Sequence, residues 1–395
     1  QAMARLQLER KKSALAFEAL KLAEGQLPKD ARVVNAVGEV HLAIREFAQA
    51  RAKFEQALGL DGKLNLALFN LATTLRAQGK LQIALKKYEQ LQKRDNVFPG
   101  LDAGLGALYL ALKQYKKAAA SYDRALRSSE IKPKLRLEAG QAFVLAGQWE
   151  RALKQANEAL AVAAYRADAR ALRAEARLLE GDLGEALVEI TRALSRAKKA
   201  QYFVIHARIL ERLRRLAAAV DAYKEALKLE PKRIDLRLHR ARLQVRGGAV
   251  REALKELKRI VKQQPNMAEA HLFTGIAYAD LSKENEAQAA YQRAIAKDPK
   301  LGEAHYRLGR LFDDKRQLPA ALKHLQKAAK LGDKSKSWWP DAYFNVGRLS
   351  EQRKLKAEAI AAYKKFLEIA RSSDANRPLA IKSLKAFGAY KPPED

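Results

Sequence analysis

Apolar and small side chains in this chain recur at the i, i+3, i+4 and i+7 spacing of one helix face. Ala31, Val34, Val37, Gly38 and His41 mark one such face, and Ala50, Phe54 and Ala57 mark the next. The pattern is periodic. Gly or Ala stands at Ala4, Gly38, Ala72, Gly106, Gly140, Ala174, Ala207, Ala241, Gly275, Gly309 and Gly347, 34 residues apart except for one spacing of 33 and a last one of 38. Twelve residues after each comes alanine, at Ala16, Ala50, Ala84, Ala118, Ala152, Ala186, Ala219, Ala253, Ala287, Ala321 and Ala359. Such a period predicts eleven helix pairs that stack on one another. Small residues at fixed places predict close crossings, because a side chain larger than a methyl would hold the helices apart. Gly79, Gly147, Gly181 and Gly248 break the pairs internally, and Pro28, Pro231, Pro265 and Pro299 separate one pair from the next.

Three features resemble the tetratricopeptide repeat: the small residue at repeat position 8, alanine at position 20, and an aromatic or apolar residue at position 24. The last is Phe54, Tyr88, Tyr122, Ile190, Tyr223, Tyr291 and Tyr363. The resemblance runs over almost the whole chain and implies an all-α solenoid, a right-handed superhelix of about eleven helix-turn-helix units. The usual large aromatic at position 4 is replaced by Val34, Leu68, Arg170, Arg237 and His271, and the two arginines argue against close packing of repeats 167–199 and 234–267. The expected organisation is an incomplete first repeat over 1–30, an array over 31–199, its C-terminal half over 200–376, a capping helix over 377–388 and a tail over 389–395. The cap would bury Leu379, Ile381, Leu384 and Phe387. Its first helix starts upstream of Gln1, so the chain is expected to begin inside a repeat.

Composition adds a strong bias. Lys and Arg number 76 against 45 Asp and Glu, a net charge of +31, in a chain that is 48% hydrophobic. Disorder is thereby excluded, and an acidic partner is favoured. The excess is uneven: residues 196–262 hold 20 basic and 7 acidic side chains, a net of +13. No run of apolar residues is long enough to span a membrane. Cysteine is absent, which excludes disulfides and thiolate chemistry.

The resemblance further implies that positions 2, 5, 9 and 12 of each first helix line the concave face. In the N-terminal half these are mostly apolar or small: Leu66, Phe69, Ala103, Ala107, Leu110, Leu137 and Val144, with Asn35, Glu39, Thr73 and Gln141 as the polar minority. Such a face suits an amphipathic helix or an apolar peptide. In the C-terminal half position 9 carries Arg208, Arg242, Arg310 and Arg348, interrupted by Ile276. Arg212 and Arg246 follow one turn on, and Tyr306 and Phe344 precede the last two arginines. Arginine beside an aromatic ring can grip a carboxylate or phosphate while the ring packs on the same ligand. The opposing reading is that Glu211, Asp313, Asp314 and Glu351 neutralise the ladder within the chain.

Other chemistry is weaker. His271 and His305 occupy one packing position of adjacent repeats and read as structural rather than as metal ligands. No phosphate loop, nucleophile elbow or zinc motif occurs. Trp338 and Trp339 sit where the repeat is four residues longer, and read first as a clamp on the following helix, second as a grip on a partner. The two-carboxylate clamp by which some members of the family hold chaperone C-termini has no match: Asn35, Glu39, Asn70, Gly100 and Gly104 stand at its places. The expected function is a non-enzymatic scaffold, without cofactor or metal, that binds acidic or amphipathic protein segments in its groove. A bacterial envelope assembly, periplasmic rather than cytoplasmic, is the favoured setting by analogy. The alternative is an anionic polymer, acidic polysaccharide before nucleic acid, and a third reading makes the array an accessory arm of an upstream enzyme.

Overall fold

The computed structural model describes residue 22 and residues 25–127 and 132–390. Ala4, Ala16, most of the first repeat and residues 391–395 of the tail lie outside the described residues. The fold is all-α. Ten helix pairs run in order: α1 (Ala31–Ala43) with α2 (Phe47–Leu60), α3 (Asn65–Ala77) with α4 (Leu81–Arg94), α5 (Leu101–Ala111) with α6 (Tyr115–Ala125), and α7 (Pro133–Leu145) with α8 (Trp149–Ala159). Then come α9 (Arg166–Glu180) with α10 (Leu183–Arg196), α11 (Ala200–Arg212) with α12 (Leu216–Leu229), and α13 (Ile234–Arg246) with α14 (Val250–Gln263). The last pairs are α15 (Ala268–Asp280) with α16 (Glu284–Lys297), α17 (Gly302–Asp314) with α18 (Leu318–Leu331), and α19 (Trp339–Gln352) with α20 (Lys356–Ile369), followed by a single α21 (Arg377–Ala386). These helices fall into two compact units that divide between Lys198 and Lys199.

One turn is used in every pair. The residue at repeat position 15 is left-handed in all ten: Gly79, Gly147, Gly181 and Gly248, but also Arg45, Lys113, Arg214, Ser282, Arg316 and Lys354, with φ near +60°. The chain thus reverses out of the first helix by a left-handed residue whose successor, as at Glu46, Gln114 and Gln317, donates its amide back to the carbonyl five residues earlier at 2.8 Å. Glycine marks this turn in four repeats only. In the other six a side chain occupies a conformation that costs it roughly 1 kcal/mol.

The core explains the small residues. All ten described position-20 alanines are fully buried. A methyl carbon on Gly38 would stand 2.6 Å from the Phe54 ring, and one on Gly106, Gly275 or Gly347 would stand 2.7, 2.5 or 2.6 Å from the ring of Tyr122, Tyr291 or Tyr363. Glycine at position 8 therefore makes room for the aromatic at position 24 of the partner helix, at contact distances no real methyl adopts.

Arg170 and Arg237 do not loosen the packing. Each reaches a buried carboxylate nineteen residues on, in the paired helix: Arg170 donates to Glu189 at 3.1 Å, and Arg237 to Glu256. Glu189 is 1% exposed. The same two places hold Arg136 with Gln155 at 3.2 Å and His305 with His324 at 3.0 Å. A polar pair satisfied across the helix pair thus replaces the aromatic.

The capping helix is present but its buried face differs from the expectation. Ala380 and Leu384 are buried, Ile381 and Phe387 are half-buried, and Leu379 is 56% exposed. Arg377 secures the cap by donating to the Leu367 and Ala370 carbonyls at 2.7 and 3.1 Å, the open end of α20. Trp338 and Trp339 clamp the start of α19: the first ring stacks on Tyr306 at 5.5 Å, and the second donates its indole N–H to the Ala329 carbonyl at 2.8 Å.

Candidate functional site

First helices of successive repeats touch one another, α1 with α3, α3 with α5, α5 with α7 and α7 with α9 in the first unit, and α13 with α15 and α15 with α17 in the second. Each unit therefore presents a continuous first-helix face.

In the first unit that face is polar at its start and apolar beyond. Asn35, Glu39 and Asn70 form a closed network: Asn70 donates to Asn35 at 3.2 Å and to Glu39 at 2.7 Å, and Asn35 donates to Glu39 at 3.1 Å. These polar groups are consumed by one another. Farther along, Leu66 is 43% exposed, and Phe69, Leu110, Leu137 and Val144 are half-buried, as are Ala103 and Ala107. Phe69 is held in place by Tyr88, edge-on at 5.8 Å, and by Phe98 at 5.5 Å. Thr73 fixes the Tyr88 hydroxyl at 2.8 Å. The result is a row of partly exposed apolar side chains, backed by rings that cannot withdraw.

In the second unit the predicted arginine ladder lies on one face, but most of it is engaged. Arg242 of α13 donates to Glu211 of α11 at 3.3 Å, Arg310 of α17 to Asp341 of α19 at 3.2 Å, and Arg348 of α19 to Asp313 of α17. Each acid comes from a neighbouring repeat, so the pairs staple repeat to repeat. Position 2 adds Asp235, Glu269, Glu303 and Asp341. The face is alternating in charge rather than basic. Arg208, Arg212 and Arg246 are exposed.

Tyr306 and Phe344 correct the expectation that ring faces lie open to a ligand. Both are 8% exposed. Tyr306 donates its hydroxyl to Asp341 and lies beneath Trp338. Burial and then that hydrogen bond push its pKa up to about 12. Phe344 packs on Tyr363 at 6.0 Å and Phe366 at 5.4 Å. At position 5 of these two repeats the ring turns into the stack because a bulky neighbour covers it.

Among the described residues no cluster of three or more His, Asp or Glu side chains could hold a metal. His271 and His305 each place Nε2 beside a loop carbonyl, Pro265 at 2.9 Å and Pro299 at 3.2 Å. His305 thus keeps its proton on Nε2 and accepts at Nδ1 from His324. Burial, the facing His305 and Lys323 hold His324 down to about 4, and burial lowers His305 as well.

Comparisons with known proteins agree with this architecture. Tetratricopeptide repeat signatures match residues 69–133, 212–274, 275–336 and 306–375. The chain belongs to the tetratricopeptide repeat superfamily, whose members are generally protein-interaction scaffolds rather than enzymes. It is similar to yeast Tom70, with 15% identity, 98% of this chain and 94% of that one covered and a TM-score of 0.51. It is also similar to a chain of the APC/C hetero-tetramer Cut9–Hcn1, at 13% identity, 97% and 85% coverage and a TM-score of 0.51. Human IFIT1, solved as a dimer with m7Gppp-AAAA, is 20% identical over 81% of each chain, with a TM-score of 0.50. At these identities the likeness is one of fold. No curated protein sequence matches the chain. No helix among the described residues is long and apolar enough to cross a membrane.

Proposed function

We propose that the protein is a non-enzymatic scaffold whose first unit binds an amphipathic partner segment along the apolar first-helix face. The observation that carries this reading is the row formed by Leu66, Phe69, Leu110, Leu137 and Val144, which stays partly exposed on three successive first helices. An apolar stripe of this kind matches the i, i+3/i+4, i+7 anchors of a partner helix. Acidic residues on the partner would meet the exposed Arg208, Arg212 and Arg246, which speed encounter more than they add affinity. Arg242, Arg310 and Arg348 keep the second unit's stacking in register. An anionic polymer in the same face has less support, because those three arginines already face carboxylates.

A library of displayed peptides, panned against the intact chain, tests the reading. Enriched peptides are expected to carry apolar residues at helical spacing. Their capture should fall at least tenfold, about 1.4 kcal/mol, in Leu110→Glu and Val144→Glu at unchanged helix content. Enrichment of purely acidic, non-amphipathic peptides would reject it.

A further inference from the structure

The charge excess of residues 196–262 is not spent on the first-helix face, where the arginines meet acids. It stands on the opposite side of the second helices. On α14, Arg251, Lys255, Lys258 and Lys262 are all exposed. At 100° per residue they fall within about 60° of arc, centred opposite the buried Ala253, Leu257 and Ile260. They make one straight stripe. Among the described residues none of the four lies in an ion pair; Lys258 alone has a neighbour, the Tyr278 ring at 5.4 Å. The acids of α14 are elsewhere: Glu256 is buried under Arg237, and Glu252 lies off the stripe. On α12 the matching places hold Lys224 and Lys228, both exposed. On α16 they hold Asn285, Ala289, Gln292 and Ala296, so the basic surface ends there.

Four like charges three and four residues apart oppose the helix that bears them. A surface with neither aromatic nor apolar residues between its cations can bind by charge alone, and charge alone gives useful affinity when the ligand is a polymer that releases counterions. The absence of rings removes the stacking on which single-stranded nucleic acid binding depends. The four cations rise along α14 in steps of about 4.5–6 Å. Those steps are longer than the roughly 3.4 Å between charges along one strand of a nucleic acid duplex. They are comparable with the length of one sugar ring. We propose that the exposed face of α14, with Lys224 and Lys228 of α12, is a docking strip for an acidic polysaccharide carrying one carboxylate per sugar, independent of what the first-helix face binds.

The test uses the intact chain and an oligogalacturonate long enough to span the stripe, with duplex DNA of similar length and anionic phospholipid vesicles as the other arms, over a range of salt. The oligogalacturonate should bind at low salt, more tightly than the duplex or the vesicles, and weaken steeply as salt rises. The variant R251E/K255E/K258E/K262E should lose at least tenfold. The charge-matched variant K86E/K93E/K116E/K154E, placed on exposed sites of the first unit, should lose less than threefold. Should the fourfold variant fail to fold, K255Q/K262Q should still lower the slope of log affinity against log salt by about two. Equal loss in both fourfold variants, an unchanged slope in K255Q/K262Q, tighter binding to duplex or vesicles, or no binding at low salt would each overturn the proposal.

Discussion

The two units share a core and differ on the face that is free to act. In both, a small residue at position 8 admits the side chain at position 24, and a fully buried alanine follows at position 20. On the first-helix face they part. The first unit leaves Leu66, Leu110, Leu137 and Val144 partly in water, an exposure that stabilises nothing within the chain. The second places Arg242, Arg310 and Arg348 against Glu211, Asp341 and Asp313, so that its charges are answered internally. Half-exposed ion pairs of this sort contribute roughly 0–1 kcal/mol each. Their larger effect is to fix repeat register and to remove three cations from the surface. The same repeat thus serves two purposes through substitution at four positions.

If the cores are equivalent, equal insults should cost the same in each. Gly106→Val in the first unit and Gly275→Val in the second should each lower stability by about 2–3 kcal/mol, measured by urea unfolding, because Tyr122 and Tyr291 cannot retreat from the added carbons. A loss confined to one unit would break the equivalence.

Acid should separate the units next. His324 sits at about 4 in the folded chain against an ordinary value near 6.5, and His206, His239 and His305 are also lowered, burial being the first cause in each. Between those values the unfolded chain takes up protons that the folded one refuses. Stability is therefore present above about pH 6.5 and falls as the pH drops towards 4. These histidines all lie in the second unit, and His41 is the first unit's one histidine. The urea midpoint of the second unit should drop between pH 7 and pH 5 while that of the first moves less, and His324→Gln should flatten the response. The smallest expected effect is a gain: Lys113→Gly and Arg316→Gly, one in each unit, should raise stability by about 0.5–1 kcal/mol by relieving the left-handed turn.

Much of this was legible in the residues. The period, the position-8 and position-20 residues and the helix pairs follow from spacing alone. The position-15 turn was visible only where glycine marks it; Arg45, Lys113, Arg214, Ser282, Arg316 and Lys354 give no local sign, because the reversal is imposed by packing of the two helices. Arg170 and Arg237 read as misfits, since their partners stand nineteen residues away in the other helix. A search for complementary residues at that separation would have found Glu189 and Glu256, and His305 with His324. The basic ladder was traced correctly along one face, but its acids come from repeats on either side, and Asp341 was not among the acids expected. Tyr306 and Phe344 were placed on the right helices; their burial depends on Trp338 and on Phe366, which a repeat register does not position.

The central claim is that the first unit's apolar face binds while the second unit's arginine pairs hold structure. Titration calorimetry of one panned amphipathic peptide into two variants tests it most directly. Leu110→Glu with Val144→Glu should weaken binding at least tenfold, and Arg310→Ala with Arg348→Ala should change it less than threefold. The reverse order would contradict the account.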